Sequence, residues 1–118
     1  MSNQNCLQIA DELTSGDRNV DYGHPLDDFT KTVNMINAAY TDLVKDRLAV
    51  NEPMFQPEDW PMIMQFCKIS REINSPKADN IVDGAGYWRT LEMVKDEQLA
   101  RRSVITSIDD LYKRDALT

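Results

Sequence analysis

Histidine is almost missing from this chain: His24 is the only one among 118 residues, and cysteine occurs twice, at Cys6 and Cys67. No cysteine or histidine cluster of the zinc-binding kind is present. Both cysteines sit in apolar patterns on separate predicted helices, so two buried thiols in a reducing cytoplasm is a simpler reading than a disulfide. Long apolar runs are also missing, and nothing approaches the ~18 residues of a membrane span. The opening stretch MSNQNCLQIADELTSG has neither a basic n-region nor an apolar h-region. A signal peptide is therefore not expected, and the predicted location is cytoplasmic. Basic residues are in deficit: 13 Lys and Arg against 20 Asp and Glu give a net charge of −7. Nonspecific nucleic-acid binding needs a basic face, so no direct nucleic-acid contact is expected. Strict alternation with period two is absent too, and no strand is predicted.

What remains is an ordinary globular composition, 42% hydrophobic and 28% charged. The length suits one domain over 1–118, all-α, with four to five helices. A short helix is predicted over 4–15, then a loop at 16–25, GDRNVDYGHP, rich in turn residues. A helix then starts near Pro25. Its stripe of Leu26, Phe29, Val33, Ile36, Tyr40, Leu43 and Leu48 predicts the buried face. Two prolines in VNEPMFQP break that pattern. A third helix begins around Pro57–Trp60, with Met62, Ile63, Phe66, Cys67, Ile69, Ser70 and Ile73 on its buried side, and ends at NSP, 74–76. Trp60 is expected to pack beneath the preceding loop. A fourth helix runs from about Ala78 to Arg101, and a fifth over Ser103–Leu117 with Ser107 as its N-cap. The segment 95–118 is a candidate for an oligomer contact through Leu99, Val104, Ile105, Ile108, Leu111 and Tyr112, or for packing on its own core.

Three stretches could carry chemistry. In KADNIVDGAGYW, Asp79 and Asp83 stand one helical turn apart, on one face with Gly86 and Tyr87. Carboxylates so placed can share Mg²⁺, which takes oxygen ligands. Equally, Asp79 can cap a helix, Asp83 can pair with Lys68 or Arg71, and the glycines can simply allow close helix approach. In KISRE, Lys68 and Arg71 share one edge, with Glu72 four residues after Lys68. Across an antiparallel hairpin they can meet the aspartates as a salt-bridge network, or they can hold phosphate oxygens. In DRNVDYGHP, Arg18, Tyr22, Gly23 and His24 precede a helix N-terminus, where anions are favoured. Tyr22 can stack on a base or fill the core, and His24 can bond a phosphate or a ring edge.

Together, DRNVDYGHPLDDF, PEDWPMIMQFCKISRE and DNIVDGAGYW resemble small phage and prophage proteins linked to the MazG-like all-α nucleoside triphosphate pyrophosphohydrolases, or described as nucleotide-modification-associated domains. The resemblance covers roughly residues 8–95. It implies a MazG-like antiparallel helical bundle, a homo-oligomer, a nucleotide ligand and, for a phage-encoded chain, the host cytoplasm. Carried over, it points to Arg18, Tyr22, Gly23, Pro25 and Phe29, to Lys68 and Arg71, and to Asp79, Asp83, Gly86 and Tyr87. An active enzyme of this kind would use Asp79, Asp83 and Glu72 to hold Mg²⁺ and release pyrophosphate. This chain departs from the family's carboxylate pattern, because Lys68 and Arg71 stand where glutamates are expected. Binding without turnover is the alternative, and a structural module is a further one.

Overall fold

A computed structural model describes residues 4–16 and 22–117. Among them are four helices and no strand: α1 (Cys6–Ser15), α2 (Pro25–Ala49), α3 (Asp59–Asn74) and α4 (Ala78–Leu117). No described helix is long and apolar enough to cross a membrane. The first two starts have local causes. Asn5 and Gln8 form a reciprocal capping box on α1, the Gln8 amide donating to Asn5 Oδ1 at 3.0 Å and the Asn5 amide to Gln8 Oε1 at 2.8 Å. Helix α2 opens on Pro25, whose missing N–H costs nothing in a first turn. It stops at Val50, after which Asn51 adopts φ 61°, a left-handed conformation that asparagine tolerates.

Helix α3 is the centre of the molecule, packed on α2 along one side and on α4 along another. The α3/α4 pair is an antiparallel hairpin. Its contact stripe on α4 is Asn80, Gly84, Tyr87, Leu91, Val94 and Gln98, each buried or half-buried. Gln98 Nε2 reaches Glu58 Oε2 at 2.7 Å, at the very start of α3. Beyond that point on α4, Val104, Ile108 and Tyr112 stand exposed.

The interior is polar. Tyr40 and Pro61 are the buried apolar residues among the described ones, whereas Asp28, Thr32, Arg47, Asp59, Gln65, Ser70 and Asn80 are all buried. Two clusters account for most of the α2–α3 seam. At one end the Ser70 hydroxyl donates to Asp28 Oδ1 at 2.6 Å. At the other, Arg47 grips Asp59 with both terminal nitrogens, at 2.6 and 3.2 Å, and donates to the Met54 carbonyl at 2.9 Å. The Gln56 amide donates to the same Asp59 carboxylate at 2.7 Å, so one ion pair pins the whole 50–58 connection. Burial pushes the Asp59 carboxyl up, but the hydrogen bonds from Arg47 and Gln56 outweigh it and hold it below its ordinary 3.8. Burial and the nearby Asp59 charge push the Tyr40 phenol up.

Four expectations change. The predicted fourth and fifth helices are one: no glycine or proline falls between Arg101 and Ser107 to interrupt them, and Ser107 is no N-cap. The apolar stripe of α2 mostly faces outward, with Leu26, Phe29, Val33, Leu43 and Leu48 exposed, because the polar residues beside it take the seam. On α3, Ile69 and Ile73 are exposed for the same reason, and Trp60 is exposed rather than packed under the loop. Neither thiol is fully buried, since Cys6 is exposed and Cys67 half-buried, and the two are not bonded.

Candidate functional site

The loop before α2 and the last turns of α3 meet at a small cavity. Gly23 makes the entry turn at φ 78°, a conformation that disfavours any side chain, and a Cβ there would stand 3.2 Å from Asn74 Oδ1. His24 then caps α2, its Nδ1 accepting from the Leu26 amide at 3.1 Å. This turn sets Tyr22 against α3, where the Arg71 guanidinium lies over its ring, 4.5 Å from the centroid. That is stacking distance for a cation on an aromatic face. The cavity, about 80 Å³, is lined by Thr14, Tyr22, Gly23, Pro25, Asp28, Phe29 and Arg71. Arg71 Nε is buried there and makes no hydrogen bond. A buried donor without an acceptor is costly, of order 1–3 kcal/mol.

The neighbouring turn of α3 faces α4. Lys68 Nζ lies 2.8 Å from Asp83 Oδ2, across the hairpin as their spacing suggested. Lys68 is largely covered, while half of the Asp83 side chain is exposed. Gln65 Nε2 donates to the Gly84 carbonyl at 2.7 Å, and a Cβ on Gly84 would come within 3.1 Å of Gln65 Oε1. Gly84 is therefore a close-approach glycine. Gly86 is not, for a Cβ there meets nothing within 4 Å. Tyr87 is half-buried on the same stripe.

The expected carboxylates are not gathered. Glu72 Oε1 receives the Lys77 amide at 2.8 Å and Asn80 Nδ2 at 3.3 Å, which ties the turn to the start of α4. Asp79 is exposed in the first turn of α4, and Asp83 is engaged by Lys68. No group of three or more His, Cys, Asp and Glu among the described residues could hold a metal ion. Arg18 lies outside the described residues. The structure brings Tyr22, Gly23, Pro25, Phe29 and Arg71 to one cavity and adds Asp28, which sequence reading passed over and which is held by Ser70.

Residues 5–95 match the model of a domain of unknown function, DUF6378. The chain belongs to the DUF6378 family. The matched span holds the cavity and the Lys68–Asp83 pair, and ends before α4 leaves α3 at Gln98. No curated protein and no solved structure matches the chain.

Proposed function

We propose that this protein recognises a nucleotide in the cytoplasm, and binds it rather than hydrolysing it. The observation that carries the reading is Arg71, which lines the cavity with its guanidinium stacked on Tyr22 and whose Nε is buried without a hydrogen bond. An anion placed there would give that group the acceptor it lacks. Asp28 in the same wall favours a ligand that also carries hydrogen-bond donors, and a nucleotide offers both phosphate oxygens and hydroxyl or amino groups. Lys68, one turn before Arg71, supplies a second cation once Asp83 releases it. The cavity takes a phosphoryl-sized group. A whole nucleotide needs ~300 Å³ or more, so most of it would lie along the open edge toward Lys68.

The likeness to MazG-like phage proteins supports the same ligand class. Turnover has less support, because metal-activated water needs a carboxylate cage, and of these carboxylates Glu72 ties the turn before α4 while Asp83 is paired with Lys68. The test is a thermal-shift and calorimetric screen of mono-, di-, tri- and cyclic nucleotides, read alongside mass spectrometry of small molecules co-purifying with the protein. Binding should raise Tm with ligand concentration, and Arg71→Ala should abolish the shift. No shift with any nucleotide overturns the proposal. Release of pyrophosphate on adding Mg²⁺ or Mn²⁺ overturns its non-hydrolytic part and restores the pyrophosphohydrolase reading.

A further inference from the structure

Two groups of opposite charge line one cavity without meeting. Asp28 and Arg71 both belong to its wall, yet no ion pair joins the two among the described residues. Each is held by something else. The Arg71 guanidinium lies over the Tyr22 ring, 4.5 Å from its centroid. Asp28 is only 6% exposed, and its Oδ1 accepts from the fully buried Ser70 hydroxyl at 2.6 Å. Opposite charges around a small, poorly hydrated space attract strongly. A wall that keeps them apart leaves both able to engage a third group. Arg71 Nε, buried and without an acceptor, is the donor half. The Asp28 carboxylate is the acceptor half.

A ligand that bridges them carries a hydrogen-bond acceptor and a donor side by side. Size narrows the choice. The cavity holds about 80 Å³, whereas a site that takes up benzene needs ~150 Å³. A base ring is therefore too large to enter, while a phosphate oxygen with a neighbouring hydroxyl is not. Charge narrows it again. A terminal phosphate carries nearly two negative charges at neutral pH, and the carboxylate in the wall repels the second. A phosphodiester carries only one. In a nucleotide, the hydroxyl that adjoins a 3′-linked phosphodiester is the ribose 2′-OH, and a deoxyribose has none.

We propose that Asp28 is the residue that sets ligand specificity, accepting a hydrogen bond from a ribose 2′-hydroxyl while Arg71 donates to the adjoining 3′-linked phosphodiester. The ligand is then a small ribonucleotide with a 3′-phosphodiester, cyclic or linear, rather than a deoxynucleotide or a nucleotide with a terminal phosphate alone. Ser70 is the positioning residue, because its bond to Oδ1 fixes the carboxylate and leaves Oδ2 for the ligand. Asp28 lies outside the residues to which the phage-protein resemblance points. The inference rests on the nucleotide reading and adds to it the sugar and the phosphate linkage.

The test is calorimetry on the full chain. The probes are 3′,5′-cyclic AMP, 3′,5′-cyclic GMP and the linear dinucleotide ApA, each beside its 2′-deoxy counterpart, and 5′-AMP. At least one of the three ribo probes should bind, and each that binds should do so roughly tenfold or more tighter than its deoxy form, as for a hydrogen bond to a charged acceptor. 5′-AMP should bind more weakly than the best of them. Asp28→Asn should cut the ribo-to-deoxy ratio severalfold while deoxy affinity rises, since a like charge beside the phosphate is gone. A merely structural Asp28 would instead lower both affinities together and keep the ratio. The wild-type ratio needs no variant, so it decides the matter even if Asp28→Asn fails to fold. Equal affinity for ribo and deoxy forms, or a preference for 5′-AMP, overturns this inference and leaves the nucleotide reading standing. No binding of any probe, when the wider screen finds a nucleotide that binds, overturns it alone; no binding in either overturns both.

Discussion

Two ion pairs tie α3 to its neighbours, and they differ in almost every respect. Arg47–Asp59 is buried on both sides, bidentate, and bonded further to Met54 and Gln56. Lys68–Asp83 has a single contact, and its carboxylate is half exposed. The first has both terminal nitrogens of Arg47 and both oxygens of Asp59 engaged, and it holds the 50–58 connection on the helices. The second leaves carboxylate surface to water, so a stronger anion can displace it from the lysine. A pair that structure needs is saturated, whereas a pair that a ligand can open is not. The difference puts the saturated pair at the N-terminal end of α3 and the open one toward its C-terminal end, beside the site proposed for the ligand.

The largest effect is expected where the saturated pair is cut. Asp59→Ala leaves Arg47 buried without its partner, and loss of one member of such a pair costs about 3–5 kcal/mol. Chemical unfolding at one protein concentration should show that loss, and Arg47→Ala should match it. The sign with pH is fixed as well. The Asp59 carboxyl sits below its ordinary 3.8 when folded, so the unfolded chain takes up its proton first as pH falls. Its stabilisation is complete above that value and is lost as pH drops through the lower folded value. Asp59→Ala should lack this part of the acid-side decline. A variant as stable as wild type would remove the contrast between the two ends.

Next in size is Ser70→Ala. The Ser70 hydroxyl is fully buried and donates to Asp28 Oδ1. Removing it strips a buried carboxylate of a donor, a loss of roughly 1–3 kcal/mol. The cavity wall carries Asp28, so nucleotide affinity should fall with stability, both read from ligand-dependent melting curves. A stability loss with unchanged affinity would detach Asp28 from the proposed site.

Smaller again, and opposite in sign, is Gly86→Ala. A Cβ at Gly86 meets nothing within 4 Å, and alanine in place of a helix-interior glycine gains about 0.5–1 kcal/mol. Gly84→Ala should not share the gain, since its Cβ would press on Gln65 Oε1 at 3.1 Å. Equal effects from the two would undo the assignment of only one of them to helix contact.

The contrast between the two ends was half legible in the sequence. Helical class was readable because apolar residues recur near 3.6 throughout, and the short NSP turn implied the antiparallel hairpin that brings Lys68 to Asp83. The Arg47–Asp59 and Ser70–Asp28 contacts span 12 and 42 residues, and no spacing rule marks pairs so far apart. Nothing in the sequence marks Asp28 and Thr32 as buried, since they are polar residues flanking an apolar stripe. The stripe reads as the core, yet most of it is exposed because the polar residues beside it take the seam. Ile69 and Ile73 misled in the same way. The continuous α4 was missed because serine is as much a helix-surface residue as a cap, and only the backbone tells them apart.

The smallest expected effect is also the one that bears most directly on the comparison. Asp83→Asn removes one charge from the Lys68 pair, and a pair this exposed contributes at most about 1 kcal/mol. The melting temperature should therefore hardly move, in contrast to Asp59→Ala. Nucleotide binding should change more than stability does. Lys68 then has no carboxylate to be pulled from, so affinity for an anionic ligand should rise, and the rise should shrink with added salt. Asp83→Asn combined with Lys68→Ala should lose that gain, which assigns it to the freed lysine rather than to the altered turn of α4. If Asp83→Asn instead unfolds the chain, the pair is architectural like the other. The C-terminal end of α3 then loses its claim to be the end that recognises.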